Sequence, residues 1–146
     1  SKIVGARLTE LLLLEIFNTE LGAERIASTG LLAGLADPVI ARALAALHGD
    51  VARSWTTSTL ARLCGCSRSK FSERFTRIVG LPPMTYLHRW RIAVAKDELR
   101  KGERSVAQIA LSVGFQSGSA FSTAFSRAEG RSPTQFAEQS RKRDLH

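Results

Sequence analysis

Apolar residues recur along this chain at the three-and-four spacing of helices, and no stretch sustains the alternation of a strand. The predicted class is therefore all-α. A first helix is expected from Arg7 to about Ala27. Leu8, Leu11, Leu12, Leu13, Leu14, Ile16, Phe17 and Leu21 make it apolar on more than one face, and such a helix needs a covering surface in water. Gly22, Gly30 and Gly34 loosen the stretch that follows. Asp37-Pro38 then supplies an N-cap and a first-turn proline for a helix to about His48, and the compact domain is expected to begin there.

Beyond Gly49, Thr56 caps a short helix that ends at Gly65, and Ser67 caps one that carries Phe71, Phe75, Ile78 and Val79 to a stop at Gly80. Pro82-Pro83 opens a long helix through Met84, Leu87, Trp90, Val94 and Leu99, closed by Gly102. Ser105-Val106-Ala107-Gln108 is a capping box for a helix ending at Gly114; Ser117 caps another that ends near Gly130, and Ser132-Pro133 starts the last.

Part of this pattern occurs twice. Thr56, Leu60, Ala61 and Gly65 return 49 positions later as Ser105, Ile109, Ala110 and Gly114. After the turn the offset is 50, pairing Ser67, Phe71, Phe75, Arg77, Gly80, Pro83 and Tyr86 with Ser117, Phe121, Phe125, Arg127, Gly130, Pro133 and Phe136. Each copy is a short helix, a tight glycine turn and a second helix whose aromatic pair at i and i+4 faces inward, which is helix-turn-helix grammar. The joining helix of roughly 18 residues spans about 27 Å, against the ~34 Å repeat of major-groove faces on duplex DNA.

Charge sharpens the picture. The chain carries +8, but residues 1–50 hold four basic side chains against six acidic ones, while residues 51–146 hold seventeen against seven. The polyanion-facing surface thus belongs to the later part. Cys64 and Cys66 are the only cysteines. They are too few for a disulfide framework, and His48, His88 and His146 lack the spacing of a zinc site, so no metal, cofactor or catalytic thiol is expected. The run Leu11–Leu14 lies between Glu10 and Glu15, far short of the ~20 apolar residues of a membrane span. A cytoplasmic location and no membrane partner are expected.

With these motifs in place, the chain resembles the AraC family of regulators, whose module is such a tandem pair. The likeness runs from about Asp37 to Arg141. Its most specific portions are Arg91-Ile92, Ser105–Ala110, Val113-Gly114-Phe115, Phe121–Phe125 and Gly130-Arg131-Ser132-Pro133. The resemblance implies a bacterial, non-enzymatic, sequence-specific binder of promoter DNA that inserts two recognition helices into successive major-groove segments. It divides the chain into a linker or dimerising segment at 1–36, left from an absent sensor domain, and the DNA-binding module at 37–141. Within the module the first helix-turn-helix covers about 56–80, the connector 83–101 and the second about 105–130. Residues 142–146 form a basic tail, and Arg141-Lys142-Arg143 is read as a frayed end rather than a specific contact. A homodimer contact through residues 8–21 and, for an activator, RNA polymerase are the further partners expected.

Burying Phe71 and Phe75 turns Arg68, Ser69, Ser72, Glu73 and Thr76 outward as base-reading candidates, with Glu73 suited to a cytosine amino group or to an ion pair with Arg77. In the second copy the same logic exposes Gly118, Ser119, Ser122, Thr123 and Ser126. These are small, so the first unit is expected to specify sequence more sharply. Helix starts at Thr56, Ser105 and Ser132, with Lys70, Arg74, Arg77, Arg127 and Arg131, are the phosphate candidates. Trp55, Trp90 and Cys64 are read as packing residues.

Overall fold

The computed structural model describes residues 36–145. The expected helix from Arg7 to Ala27, and with it the dimer contact at 8–21, lies outside them. Among the described residues there are seven helices and no strand: α1 (Pro38–Gly49), α2 (Thr57–Leu63), α3 (Arg68–Val79), α4 (Pro83–Lys101), α5 (Val106–Ser112), α6 (Gly118–Glu129) and α7 (Pro133–Asp144). The all-α expectation holds.

The helix boundaries are those that the capping residues set. The Asp37 carboxylate accepts from the N–H groups of Val39 and Ile40, and Thr56, Ser67, Ser105, Ser117 and Ser132 each accept from the backbone N–H three residues on. Ser105 with Gln108, and Ser132 with Gln135, close reciprocal capping boxes, as does Thr56 with Thr59. Each box satisfies two backbone donors that the first turn otherwise leaves without a partner. Gly80 and Gly130 cap α3 and α6 at the other end.

The described residues form two compact units, one of residues 36–50 and 55–87, the other of 51–54 and 88–145. In the first, α3 packs on α1 and α2. Ile40, Leu44 and Leu47 from α1, Leu60 from α2 and Phe71 and Phe75 from α3 are wholly buried, with Tyr86 from the start of α4 nearly so. Phe75 lies between Phe71 and Tyr86, with both ring-centroid distances 5.8 Å. Trp55 is buried and donates its indole N–H to the Asp50 carbonyl at 2.8 Å.

In the second unit α6 packs on α5 and α7. Its core gathers Ile92, Ala95 and Leu99 from α4, Ile109 and Ala110 from α5, Phe121 and Phe125 from α6, and Phe136 from α7. Rings again form a continuous file, Phe115, Phe121, Phe125 and Phe136, with successive centroids 5.3–5.6 Å apart. Fully burying a phenylalanine contributes about 1.5–3 kcal/mol, so these files are a leading apolar contribution to each unit.

Two features depart from the sequence expectation. The basic end is not frayed: Arg141, Lys142 and Arg143 form the last turn of α7, which continues to Asp144. Cationic side chains at this end face the negative pole of the helix. Lys96, which the pattern does not single out, is buried at 1% exposure and meets the Glu129 carboxylate at 2.9 Å. Burial pushes its ammonium pKa down while Glu129 pulls it up.

Candidate nucleic-acid interface

The pitch of α3 decides what its side chains can do. With Phe71, Phe75 and Val79 turned into the core, Arg68, Ser69, Glu73 and Thr76 are exposed and Ser72 is half-buried. Arg68, Ser69 and Ser72 line one open groove of about 400 Å³ together with Thr57 at the start of α2. Thr57 is a member that sequence reasoning missed; its place just after the Thr56 cap was the available signal. Neither α3 nor α6 has an acidic residue in its first turn, so the positive pole of each helix is left uncompensated toward an anion.

Helix α6 repeats the arrangement with smaller groups. Phe121 and Phe125 are buried, Ser119 and Thr123 are exposed, and Gly118, Ser122 and Ser126 are half-buried. The Thr123 hydroxyl donates to the Ser119 carbonyl at 3.0 Å, which leaves its lone pairs as the outward-facing chemistry.

The cationic candidates fall into two groups. Lys70, Arg77 and Arg127 are exposed. Arg74 instead donates through Nε and Nη2 to the Asp37 carboxylate at 3.1 and 2.8 Å. Arg131 lies 4.8 Å over the Phe136 ring and donates to Gln139. The hydroxyls of Thr56, Ser105 and Ser132 are taken up in their capping boxes. Among the described residues no ion pair joins Glu73 to Arg77.

In the second unit, Arg91 of α4 donates to the Val51 and Arg53 carbonyls at 3.0 and 2.8 Å. Its guanidinium lies so close to the turn before α6 that a Cβ on Gly114 would come within 2.8 Å of it. Gly114 also has φ +99°, a conformation that L side chains rarely adopt. Its counterpart Gly65 shares the positive φ, at +70°, but faces open space.

No group of three or more His, Cys, Asp or Glu side chains converges among the described residues. Cys64 is buried, with its thiol 3.5 Å from the Val39 carbonyl, and Cys66 is half-buried. Burial pushes the Cys64 thiol up, with Cys66 adding to it, which disfavours the thiolate that a nucleophile or metal ligand requires. No helix of the described residues is long and apolar enough to cross a membrane.

Two helix-turn-helix units of one design in one chain define the class, a tandem helix-turn-helix protein. The sequence profile of the family described as "Helix-turn-helix domain" matches residues 60–139. A Streptomyces lividans protein described as an AraC-like transcription regulator is 45% identical over 133 residues, covering 91% of this chain and 44% of that protein. The HTH-type transcriptional regulator AlkR of Acinetobacter baylyi is 39% identical over 109 residues, 75% of this chain and 36% of that protein. The chain thus spans less than half the length of these relatives.

Among solved structures, the DNA-binding domain of AdpA, a global transcriptional factor in complex with a target DNA, is 30% identical with a TM-score of 0.69. The match covers 73% of this chain and 96% of that one. The C-terminal domain of AraT, a response regulator of Geobacillus stearothermophilus, is 26% identical with a TM-score of 0.68, over 70% and 86% of the two chains. The chain belongs to the AraC-type helix-turn-helix family, a family of transcription regulators rather than enzymes.

Proposed function

We propose that this chain is the duplex-DNA-binding end of a bacterial transcription regulator, with residues 37–141 as the module and α3 and α6 each entering a major groove. The observation that carries this reading is the repeated placement of a polar, outward helix face on a phenylalanine-anchored back. The AdpA domain, which shares the fold, is itself in complex with a target DNA.

Arg68, Ser69, Ser72, Glu73 and Thr76 then meet base edges in the first site, and Gly118, Ser119, Ser122, Thr123 and Ser126 in the second. Arginine is the strongest single discriminator of this set, through bidentate contact with guanine. Lys70, Arg77 and Arg127 contribute charge toward phosphates, with the first turns at Thr56, Ser105 and Ser132 offering backbone N–H groups. Residues 1–36 serve as a linker or dimerising segment, RNA polymerase is the further partner if the protein activates, and the site of action is the cytoplasm.

Selection of bound sites from random duplex DNA tests the reading, with a long asymmetric motif as the expected result. Titration with salt supplies the physical check. If about six phosphates are neutralised, log affinity falls against log salt with a slope near −5. A flat salt response and no enriched motif would overturn the assignment.

A further inference from the structure

We propose that Arg74, despite lying on the first recognition helix, is not a phosphate ligand but a positioning residue. Its tie to Asp37 fixes the direction in which α3 presents Arg68, Ser69, Ser72 and Glu73. The proposal rests on the DNA-binding reading above and names a specificity device within it.

The Asp37 carboxylate is fully committed. One oxygen accepts the N–H groups of Val39 and Ile40 at 3.0 and 3.2 Å and so starts α1. The other accepts Nε and Nη2 of Arg74. The Asp37 side chain is 16% exposed and that of Arg74 39%. Two donors of one guanidinium on a single oxygen restrict it more than one contact does. Because Arg74 adjoins Phe75 on the helix, a tether there resists rotation of α3 about its own axis. Such a rotation would swing every base-facing side chain together.

The same contact removes Arg74 from the surface field. A carboxylate 2.8 Å away cancels its charge toward a phosphate, whereas Lys70 and Arg77 are exposed on the same helix. The second unit has nothing equivalent at this place: the repeat puts Ala124 where Arg74 stands, and α6 is tied at its far end through Glu129 to Lys96.

The test uses the full chain and two fluorescein-labelled duplexes, one carrying the motif enriched from random DNA and one unrelated, across a salt series. Arg77→Ala serves as the phosphate control and should lower the magnitude of the salt slope by about 0.9. Arg74→Ala is expected to leave the slope at the wild-type value and to lower the preference for the motif over the unrelated duplex by about tenfold, with Arg74→Lys recovering part of it. Asp37→Asn retains a capping side chain but frees the Arg74 charge; it should lose preference likewise and steepen the slope by about 0.9.

A fall in slope for Arg74→Ala with equal weakening on both duplexes would overturn the proposal. So would an Asp37→Asn protein that behaves as wild type. If the wild-type chain ignores both duplexes, the DNA reading itself fails. A thermal-melting cycle of Asp37→Asn, Arg74→Ala and the double variant then decides the tie alone: non-additive losses uphold it and additive ones refute it.

Discussion

Helices α3 and α6 bury the same phenylalanine pair and close on a glycine, yet their outward faces have little in common. Helix α3 presents Arg68, Lys70 and Arg77 against Glu73, whereas α6 carries Arg127 against Glu129 and otherwise only small groups. The ties differ as well: Asp37 meets a partly exposed Arg74 in one unit, and Glu129 meets a buried Lys96 in the other. Packing constrains the inner face because cavities and excess volume both cost stability. The outer face is free of that constraint, and there the two copies differ, one charged and the other nearly neutral.

The most severe challenge to this comparison is to the shared face. Phe71→Ala and Phe121→Ala, both at wholly buried positions, should each cost about 3–5 kcal/mol by urea denaturation. A loss under about 1 kcal/mol at either site would mean that the two cores are not equivalent.

Acid should separate the units next. His48 of the first unit is held neutral by burial, its pKa pushed down to about 4, with its ring nitrogen 2.6 Å from the Tyr86 hydroxyl. A histidine with a depressed folded pKa contributes stability that is complete above its unfolded value of about 6.5. That contribution is lost as pH falls from there toward 4, to a total of about 3 kcal/mol. His88 of the second unit lies nearer the surface; partial desolvation and then Arg91 and Arg89 lower it, the same direction from a weaker setting. Urea midpoints at pH 7 and pH 5 should therefore drop mainly through the first unit, and His48→Gln should flatten the profile. A profile unchanged by that substitution would remove His48 as the source. Asp37 acts at lower pH: burial raises its carboxyl, but the Arg74 bond and the Ile40 and Val39 N–H groups together hold it below the usual value. Its contribution persists above about 3.9 and disappears as pH falls through the lower folded value.

Specificity sharpens the contrast of the outer faces. Ser72→Ala with Glu73→Ala should change the preferred bases by about 1–3 kcal/mol at the contacted positions, and Ser122→Ala with Thr123→Ala by less. Site selection with each double variant measures both, and a larger change from the second pair would reverse the assignment of roles. The smallest effect concerns the turns. Gly65→Ala and Gly114→Ala both place a side chain at positive φ, at about 1–2 kcal/mol. Gly114→Ala should cost more because it displaces a guanidinium pinned to two carbonyls. In an Arg91→Ala background the difference should vanish in thermal melts.

Much of the fold was legible because it is written locally. Ser67, Ser105, Ser117 and Ser132 announce helix starts within three residues, and the Phe71–Phe75 and Phe121–Phe125 spacing sets the inward face of each second helix. The long-range ties were not legible. Asp37 and Arg74 lie 37 positions apart, and nothing in α4 marks Lys96 as the lysine that enters the core rather than Lys101, which stays at the surface. A periodic pattern states which face is apolar but not which charged neighbour finds a partner. For the candidate interface, pattern reasoning located the exposed face of α3. It could not foresee that Arg74 on that helix is occupied by the protein itself.

Cys64 and Cys66 flank Gly65 in the first turn, one thiol in the core and the other half-buried. They offer a paired internal probe: an alkylating reagent should label the more accessible Cys66 faster than Cys64, whose labelling depends on local opening of the first unit. The ratio of the two labelling rates therefore reads the opening frequency of the first unit, with and without a duplex, on the unmodified chain.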